Sequence, residues 1–250
     1  MKTLLQNHFG TATYTLRLAS SPSDLHAVQS LRFDVFNLEL HEGLAKSYLT
    51  CRDADPFDAV CDHLIVEETG TGLVVGTYRM QTGARAAQSL GYYCEQEFDF
   101  SPFEALRGEL LELGRACIAQ EHRCVQVLSL LWRGIASYAQ QHGARYLMGC
   151  SSLTTQDPAT GHAAYAALKC HLAPPYLRTV PLPEFCLEPA PEPAPRVKIP
   201  KLLSAYLGLG AWICSPAAID RSFGTIDFLT CLDLQSPPMA QRRKRFGITE

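Results

Sequence analysis

Seven residues in the first half of the chain have types and spacings that suit chemistry on an amine. Arg32 and Phe36 fall in L-R-F-D-V-F, and Asp55 and Asp58 in D-A-D-P-F-D. Arg79 lies in V-V-G-T-Y-R-M, and Glu112 and Arg115 in L-L-E-L-G-R-A-C. Most of these charges sit inside apolar stretches, where an ion is costly unless it is paired. Acids and bases together in such places point to a polar site built on a sheet. A site of that kind suits binding a zwitterion, or activating an amine, better than it suits stability alone.

An α-amine is mostly protonated near neutral pH, so it becomes a nucleophile only when a base removes the proton. Glu112, in the strand-like run Glu109 to Ile118, is the candidate base. Arg115, three residues on, would orient it or hold a carboxylate; the plainer alternative is a structural Glu–Arg pair at the sheet edge. Asp55 and Asp58 are spaced to reach one cation together, or else to build a turn with Asx-type hydrogen bonds. The planar fork of Arg79 suits an acceptor carboxylate, or it pairs with Asp58 or Glu112. Arg32 has the same two readings. Phe36, Phe98, Phe100 and Trp132 are core or acyl-groove walls. His63 reads as a satisfied core histidine before a catalytic one. Cys150, with His162 nearby in sequence, is a weaker nucleophile candidate.

The elements that must position these groups alternate. Tyr14 to Leu18 suits a strand. Ser21-Pro22-Ser23-Asp24 reads as a capped helix start, and the helix runs to about Leu40, with Arg32 and Phe36 on one face. His41 to Pro56 lacks periodicity. Cys61 to Glu68 and Leu73 to Gln81 read as a hairpin closed by Thr69 to Gly72. A short helix near Ala84 to Leu90 and an irregular stretch to Phe103 precede the Glu109 to Ile118 strand. Then come a helix over Gln120 to His142, a strand over Arg145 to Gly149, a helix over Asp157 to Cys170 and a Pro-rich stretch over Pro174 to Pro200. A last helix and a strand over Thr225 to Leu232 close the pattern. This order implies an α/β (α+β) fold, a central mixed sheet flanked by helices in one domain. The Pro-rich stretch reads as an insertion and residues 241–250 as a basic tail.

Composition narrows the class. The chain has 250 residues, 47% of them hydrophobic, and a net charge of -3. That balance argues against nucleic-acid binding driven by whole-domain charge. The ten cysteines form no C-x-x-C pair, so the reading is buried thiols in a reducing compartment, with no metal site. The N-terminus lacks the apolar core of a signal peptide, which places the chain in the cytoplasm. Leu202 to Ile219 carries no charge, but Gly208, Gly210 and Pro216 break it, so it reads as a buried or interfacial segment. The basic tail from Arg242 to Arg245 is either a solvated end or an attraction for an acidic carrier protein or anionic headgroups, which leaves room for peripheral contact with the inner membrane.

The series R-x-x-x-F, D-x-F-D, E-x-x-R, joined by V-G-T-Y-R-M, D-P-F-D-A-V-C-D-H-L-I-V, L-L-W-R-G-I-A-S-Y and F-G-T-I-D-F, resembles the acyl-homoserine lactone synthases. It is more similar to the ornithine-lipid type N-acyltransferases, also labelled hemolysin-like acyltransferases. The likeness covers most of Leu31 to Leu232. It implies a GNAT-like fold and transfer of a 3-hydroxyacyl chain from acyl carrier protein to the α-amine of L-ornithine, giving lyso-ornithine lipid. It implies no cofactor beyond the carrier's phosphopantetheine, with Glu112 and Arg115 catalytic and Arg32, Phe36, Asp55, Asp58 and Arg79 binding substrate. Other acceptors (glycine, glutamine, lysine, tyrosine) and lactone synthesis remain as alternatives. One departure from ordinary GNAT enzymes bears on the donor. Those cradle the CoA pyrophosphate in a glycine-rich turn, whereas Glu121 to Val127 contains no glycine, as suits a carrier-protein thioester.

Overall fold

The strand assignments rest on runs whose alternate side chains can be buried on opposite faces of one sheet. The structure, a computed structural model, describes residues 3–9, 12–189 and 197–242. Its strands are β1 (Thr3–Phe9), β2 (Ala12–Leu18), β3 (Asp62–Glu68), β4 (Val74–Thr82), β5 (Leu110–Ile118), β6 (Tyr146–Leu153), β7 (Trp212–Ile213), β8 (Ala218–Asp220) and β9 (Thr225–Asp233). They form one nine-stranded sheet in the order β1-β2-β3-β4-β5-β6-β9-β7, with β8 also on β9. The β5–β6 pairing is parallel, and the other pairings are antiparallel. The sheet is therefore mixed, as expected.

Helices α1 (Pro22–Phe33), α2 (Gly83–Ala87), α3 (Val125–Gln141), α4 (Pro158–Ala167), α5 (Lys201–Gly208) and α6 (Pro237–Arg242) flank it. The cap of α1 forms as read: Ser21 Oγ accepts from Asp24 N at 3.1 Å. The reciprocal bond goes one residue further back, from Ser20 N to Asp24 Oδ2 at 2.8 Å. Beyond Phe33 the helix loosens into a π-helical turn, Asp34–Glu39, a form that often marks functional sites. It carries Phe36 toward Phe223, 5.5 Å away between ring centroids.

Two packed layers cover the sheet where it matters most. On the α3 face, Leu111, Leu113, Leu147 and Leu232 pack with Trp132 and Ile135. On the opposite face, Leu110, Tyr146, Met148 and Cys231 pack with Phe98, Phe100 and Phe103. The neighbours Leu110 and Leu111, or Tyr146 and Leu147, fall on opposite sides, as strand alternation requires.

Several elements differ from the sequence reading. Strand β1 is unforeseen, because L-L-Q-N-H-F alternates poorly; backbone pairing with β2 forms it. The α3 helix starts at Val125, preceded by a 3-10 turn over Gln120–His122. Strand β6 runs on to Leu153, since β9 pairs with it over its whole length. The first part of the Pro-rich stretch is pinned to the body: Leu182 N donates to Glu97 O at 2.8 Å and Asp99 N to Val180 O at 3.0 Å. Its residues 190–196 and the tail 243–250 lie outside the described residues. The uncharged run Leu202 to Ile219 divides into α5, β7 and β8, with Leu203, Ile213 and Ile219 buried. Among the described residues, no helix is long and apolar enough to cross a membrane.

Candidate active site

Six charged side chains from four elements meet in one buried lattice. Arg32, at the end of α1, is fully buried and donates to Asp53 Oδ2 at 2.7 Å and to Asp58 at 2.8 and 3.0 Å. Arg79 on β4 donates to Asp55 at 2.6 Å and to Asp58 at 3.0 Å. Arg115 on β5 donates to Asp55 Oδ2 at 3.1 Å and lies 3.3 Å from Asp53. The acids come from one short loop, where Asp55 caps a 3-10 turn and Asp58 closes the capping box. Burial pushes the Asp58 carboxyl up, but Arg32 and Arg79 together outweigh it and hold the group below the usual carboxylate range. Asp55 is lowered too, by Arg79 and Arg115 against the same burial. Three guanidinium groups thus face three aspartates, each already engaged. His63 joins this packing through Nε2, 3.1 Å from Asp58 O, and burial lowers its pKa.

Strand β5 does two things after Glu112. Its parallel pairing with β6 ends at Glu112 opposite Met148, so the two strands part and leave a wedge in the sheet. Gly149 permits this close departure, because a Cβ there would lie 2.2 Å from Leu113 O. On its other side β5 carries a bulge: Thr77 pairs with Cys117 and Arg79 with Gly114, so Arg115 and Ala116 stand against Tyr78 alone. Arg115 adopts a φ of 49° there, which costs about 1–3 kcal/mol for a non-glycine residue. In an unbroken strand, Glu112 and Arg115, an odd number apart, would point to opposite faces. The bulge brings both to Tyr93: its backbone N–H donates to Glu112 at 2.9 Å, and its ring lies 4.8 Å from the Arg115 guanidinium.

Glu112 is buried and accepts from Tyr93 N at 2.9 Å and Cys94 N at 2.8 Å. Burial raises its pKa, while those two N–H groups and the positive charge of Arg79 restrain the rise. A carboxylate with a raised pKa, fixed by backbone donors at a cavity wall, is suited to accept a proton. Among the described residues, no hydrogen bond or ion pair joins Arg115 to Glu112. The orienting role expected of Arg115 falls to the Tyr93–Cys94 backbone.

A cavity of about 360 Å3 runs through the wedge, within the size of small-molecule sites. Glu112 to Gly114 and Met148 to Gly149 form its waist. On the α3 face its walls are apolar, with Tyr78, Trp132, Leu147, Leu203, Tyr206 and Ala211. On the other face they are polar and acidic, with Glu42, Tyr93, Arg115, Asp220 and Asp227. Phe36 and Arg79 line it, whereas Arg32, Asp55 and Asp58 stand behind Arg79 and Arg115 and touch no part of it. Phe98 and Phe100 belong to the packed core.

The acidic wall was not legible as such. Asp227 reads from sequence as a structural residue of the last strand, and Glu42, Glu97 and Asp220 carry no motif of their own. Their one signal is an acid in an apolar setting, plainest for Asp227 in T-I-D-F-L-T. Asp53, within D-A-D-P-F-D, was likewise overlooked as the partner of Arg32. The Cys150 thiol is driven well above its usual range by the Cys94 thiol, burial and acidic neighbours, so it is a poor nucleophile. His162 turns instead to Glu188 O at 2.9 Å.

Residues 31–133 match the acetyltransferase (GNAT) domain family. The chain is 34% identical over 238 residues to an L-ornithine N(alpha)-acyltransferase of Brucella abortus, covering 88% of this chain and 84% of that protein. It is 32% identical over 246 residues to one of Rhodobacter capsulatus, covering 94% of each. Among solved structures it is similar to the CoA-dependent acyl-homoserine lactone synthase BjaI, with a TM-score of 0.56 and 13% identity over 95% of this chain and 91% of that one. It is also similar to FeeM, an N-acyl amino acid synthase from uncultured soil microbes, with a TM-score of 0.56 and 12% identity over 94% and 96%. At such identity this second likeness speaks for the fold, a GNAT acyltransferase sheet with flanking helices.

Proposed function

The chain belongs to the L-ornithine N(alpha)-acyltransferase family, and we propose that it moves a 3-hydroxyacyl chain from acyl carrier protein to the α-amine of L-ornithine, giving lyso-ornithine lipid. The observation that carries this reading is the two-sided cavity, apolar on one face of the sheet, acidic on the other, with buried Glu112 at its waist. An acyl chain suits the apolar arm beside Trp132 and Tyr206. An amino acid suits the polar arm, and the two substrates meet where β5 leaves β6.

In this mechanism Glu112 takes a proton from the α-ammonium group. The freed amine attacks the thioester carbonyl, a C–N bond forms, the C–S bond breaks, and the phosphopantetheine thiol leaves with a proton. Arg79 and Arg115 line the cavity and face the acceptor carboxylate. Their own placement depends on Asp53, Asp55 and Asp58, so Arg32 and the aspartates act as positioning residues one layer back. The backbone from Leu113 to Arg115, free of β6 beyond Glu112, is the place for polarising the thioester oxygen. The protein needs no metal or organic cofactor of its own for these steps.

Carrier protein as donor is supported by the absence of glycine from Glu121 to Val127, where a CoA pyrophosphate would need close backbone approach. Work in the cytoplasm, with peripheral contact at the inner membrane where the product is delivered, completes the proposal. The test supplies purified protein with L-ornithine and either 3-hydroxyacyl carrier protein or the matching CoA thioester, read by mass spectrometry. Nα-acylated ornithine and free carrier thiol are expected. Acylation of a different amino acid would overturn the acceptor, and turnover from CoA alone would overturn the donor.

A further inference from the structure

Not every acid on the polar side of the cavity has a cation to match it. Asp227 on β9 is 4% exposed and Glu97 is 2% exposed. Their carboxylate oxygens and the Cys150 sulfur all lie within 4.8 Å of one another. Asp227 Oδ1 and Glu97 Oε1 accept from no other residue, and the two carboxyls hydrogen-bond each other through a shared proton that an arriving cation would replace. Asp227 lines the cavity, and so do Glu42 and Asp220. Leaving an acceptor atom buried and unpaired costs about 1–3 kcal/mol, so this corner is built for a donor that arrives with a ligand.

We propose that Glu97 and Asp227 form the subsite for the cationic side chain of the acceptor, a terminal ammonium group held between the two carboxylates. This rests on the amine-acylation reading above and deepens it. The geometry favours a diamine of ornithine's length. Glu112 is level with Met148 on β6, and Asp227 is level with Ser152. Four residues of strand separate those levels by about 13 Å and two strand spacings add about 10 Å sideways, so the Cα atoms stand about 16 Å apart and the two side chains close the last part. Two amines joined through four carbons span about 6 Å, and a hydrogen bond of about 2.9 Å at each end brings the reach to about 12 Å. One amine then faces Glu112 while the other faces Asp227.

The charge balance points the same way. Arg115, whose charge acts on Glu97, is already engaged by Asp53 and Asp55. Glu42 spends one oxygen on Thr154 Oγ1 at 2.8 Å, and Asp220 Oδ1 accepts from Ser222 N and Phe223 N, both at 2.8 Å. These two therefore have oxygens already spent on the protein, while Glu97 and Asp227 keep acceptor atoms that no other residue fills.

The experiment compares L-ornithine with L-norvaline, which lacks the terminal amine, in wild type, Asp227→Asn and Glu97→Gln, using full-length protein and a 3-hydroxyacyl carrier-protein donor. The wild type is expected to prefer ornithine in kcat/KM. Each variant is expected to lower that preference about 30-fold or more, chiefly through KM. An equal fall on both substrates, or an unchanged preference, overturns the subsite. Should a variant not fold, the wild type still decides: a kcat/KM for norvaline equal to that for ornithine overturns the subsite. Turnover abolished by EDTA and restored by Mn2+ or Zn2+ also overturns it, in favour of a metal site. A wild type that acylates no amine at all refutes the parent reading instead, so the two failures are distinguishable.

Discussion

Two buried charge clusters lie side by side in this molecule and are built on opposite rules. In the first, Arg32, Arg79 and Arg115 interleave with Asp53, Asp55 and Asp58, and every group is engaged by an opposite charge. In the second, Glu97 and Asp227 lie against each other behind the acidic wall of the cavity, with no cation engaged. The pKa directions record the contrast. Arginines hold Asp55 and Asp58 down. Burial and neighbouring acids push Glu97 well up, and burial takes Asp227 to about 6. A balanced lattice has its charges matched without a ligand and fixes geometry. An unbalanced one gains its partner on binding. The difference separates the acids that place the machinery from the acids that meet the substrate.

The largest expected effect comes from breaking the balanced cluster. Arg32→Met strands the carboxylates of Asp53 and Asp58 in the interior and should cost about 3–5 kcal/mol, read as the urea unfolding free energy. A loss within experimental scatter would mean the lattice is not what holds the loop to α1.

Next is Glu112→Gln. It keeps an oxygen for one of the Tyr93 and Cys94 N–H groups but cannot take a proton. Turnover should fall about 10^2- to 10^4-fold, while the one N–H left unpaired costs about 1–3 kcal/mol of stability. Retained kcat would remove Glu112 as the base. A smaller disturbance follows from Gly149→Ala, whose methyl would meet Leu113 O at 2.2 Å. Prying β6 from β5 at the waist should cost about 1–3 kcal/mol and slow turnover. Thermal unfolding alongside steady-state kinetics checks both.

The mildest perturbation is pH. Burial raises Glu42, as well as Asp227, to about 6, with Asp227 and Arg115 pulling Glu42 in opposite directions and Glu97 and Asp220 facing Asp227. An ammonium ligand needs these groups charged, so KM for ornithine should fall as pH rises through about 6, separately from any change in kcat. The stability linkage has opposite signs in the two clusters. Asp58, lowered in the folded state, contributes stability above the ordinary carboxylate range that is lost as pH falls. Glu42 and Asp227, raised in the folded state, favour folding when protonated, and that contribution is lost as pH climbs from about 4 to about 6. The thermal shift produced by ornithine should accordingly grow between pH 5 and pH 7.

Much of this was readable in the sequence because periodicity survives where packing is regular. The capped start of α1, the β3–β4 hairpin, β5, and α3 below Trp132 follow from spacing alone. So did the gathering of Arg32, Asp55, Asp58, Arg79 and Arg115, the arginines as ions in apolar runs and the aspartates by their close spacing. What stayed hidden depends on geometry that spacing does not encode. The β5 bulge moves Arg115 to the face of Glu112, and no residue pattern announces it. The wedge arises where two strands part, which turns Gly149 from a strand residue into a hinge point. Glu97 and Asp227 are far apart in sequence and become one subsite only when β9 pairs with β6 and the Pro-rich stretch ties down the Glu97 backbone.

On this reading the unmatched acids, and not the matched aspartates, receive the side chain of the acceptor. A crystal structure of the protein with L-ornithine tests it most directly. The side-chain ammonium is expected about 3 Å from Asp227 and Glu97, with the α-amine turned to Glu112 and the carboxylate toward Arg79 or Arg115. An ammonium lodged against Asp55 and Asp58, with their arginines displaced, would contradict it.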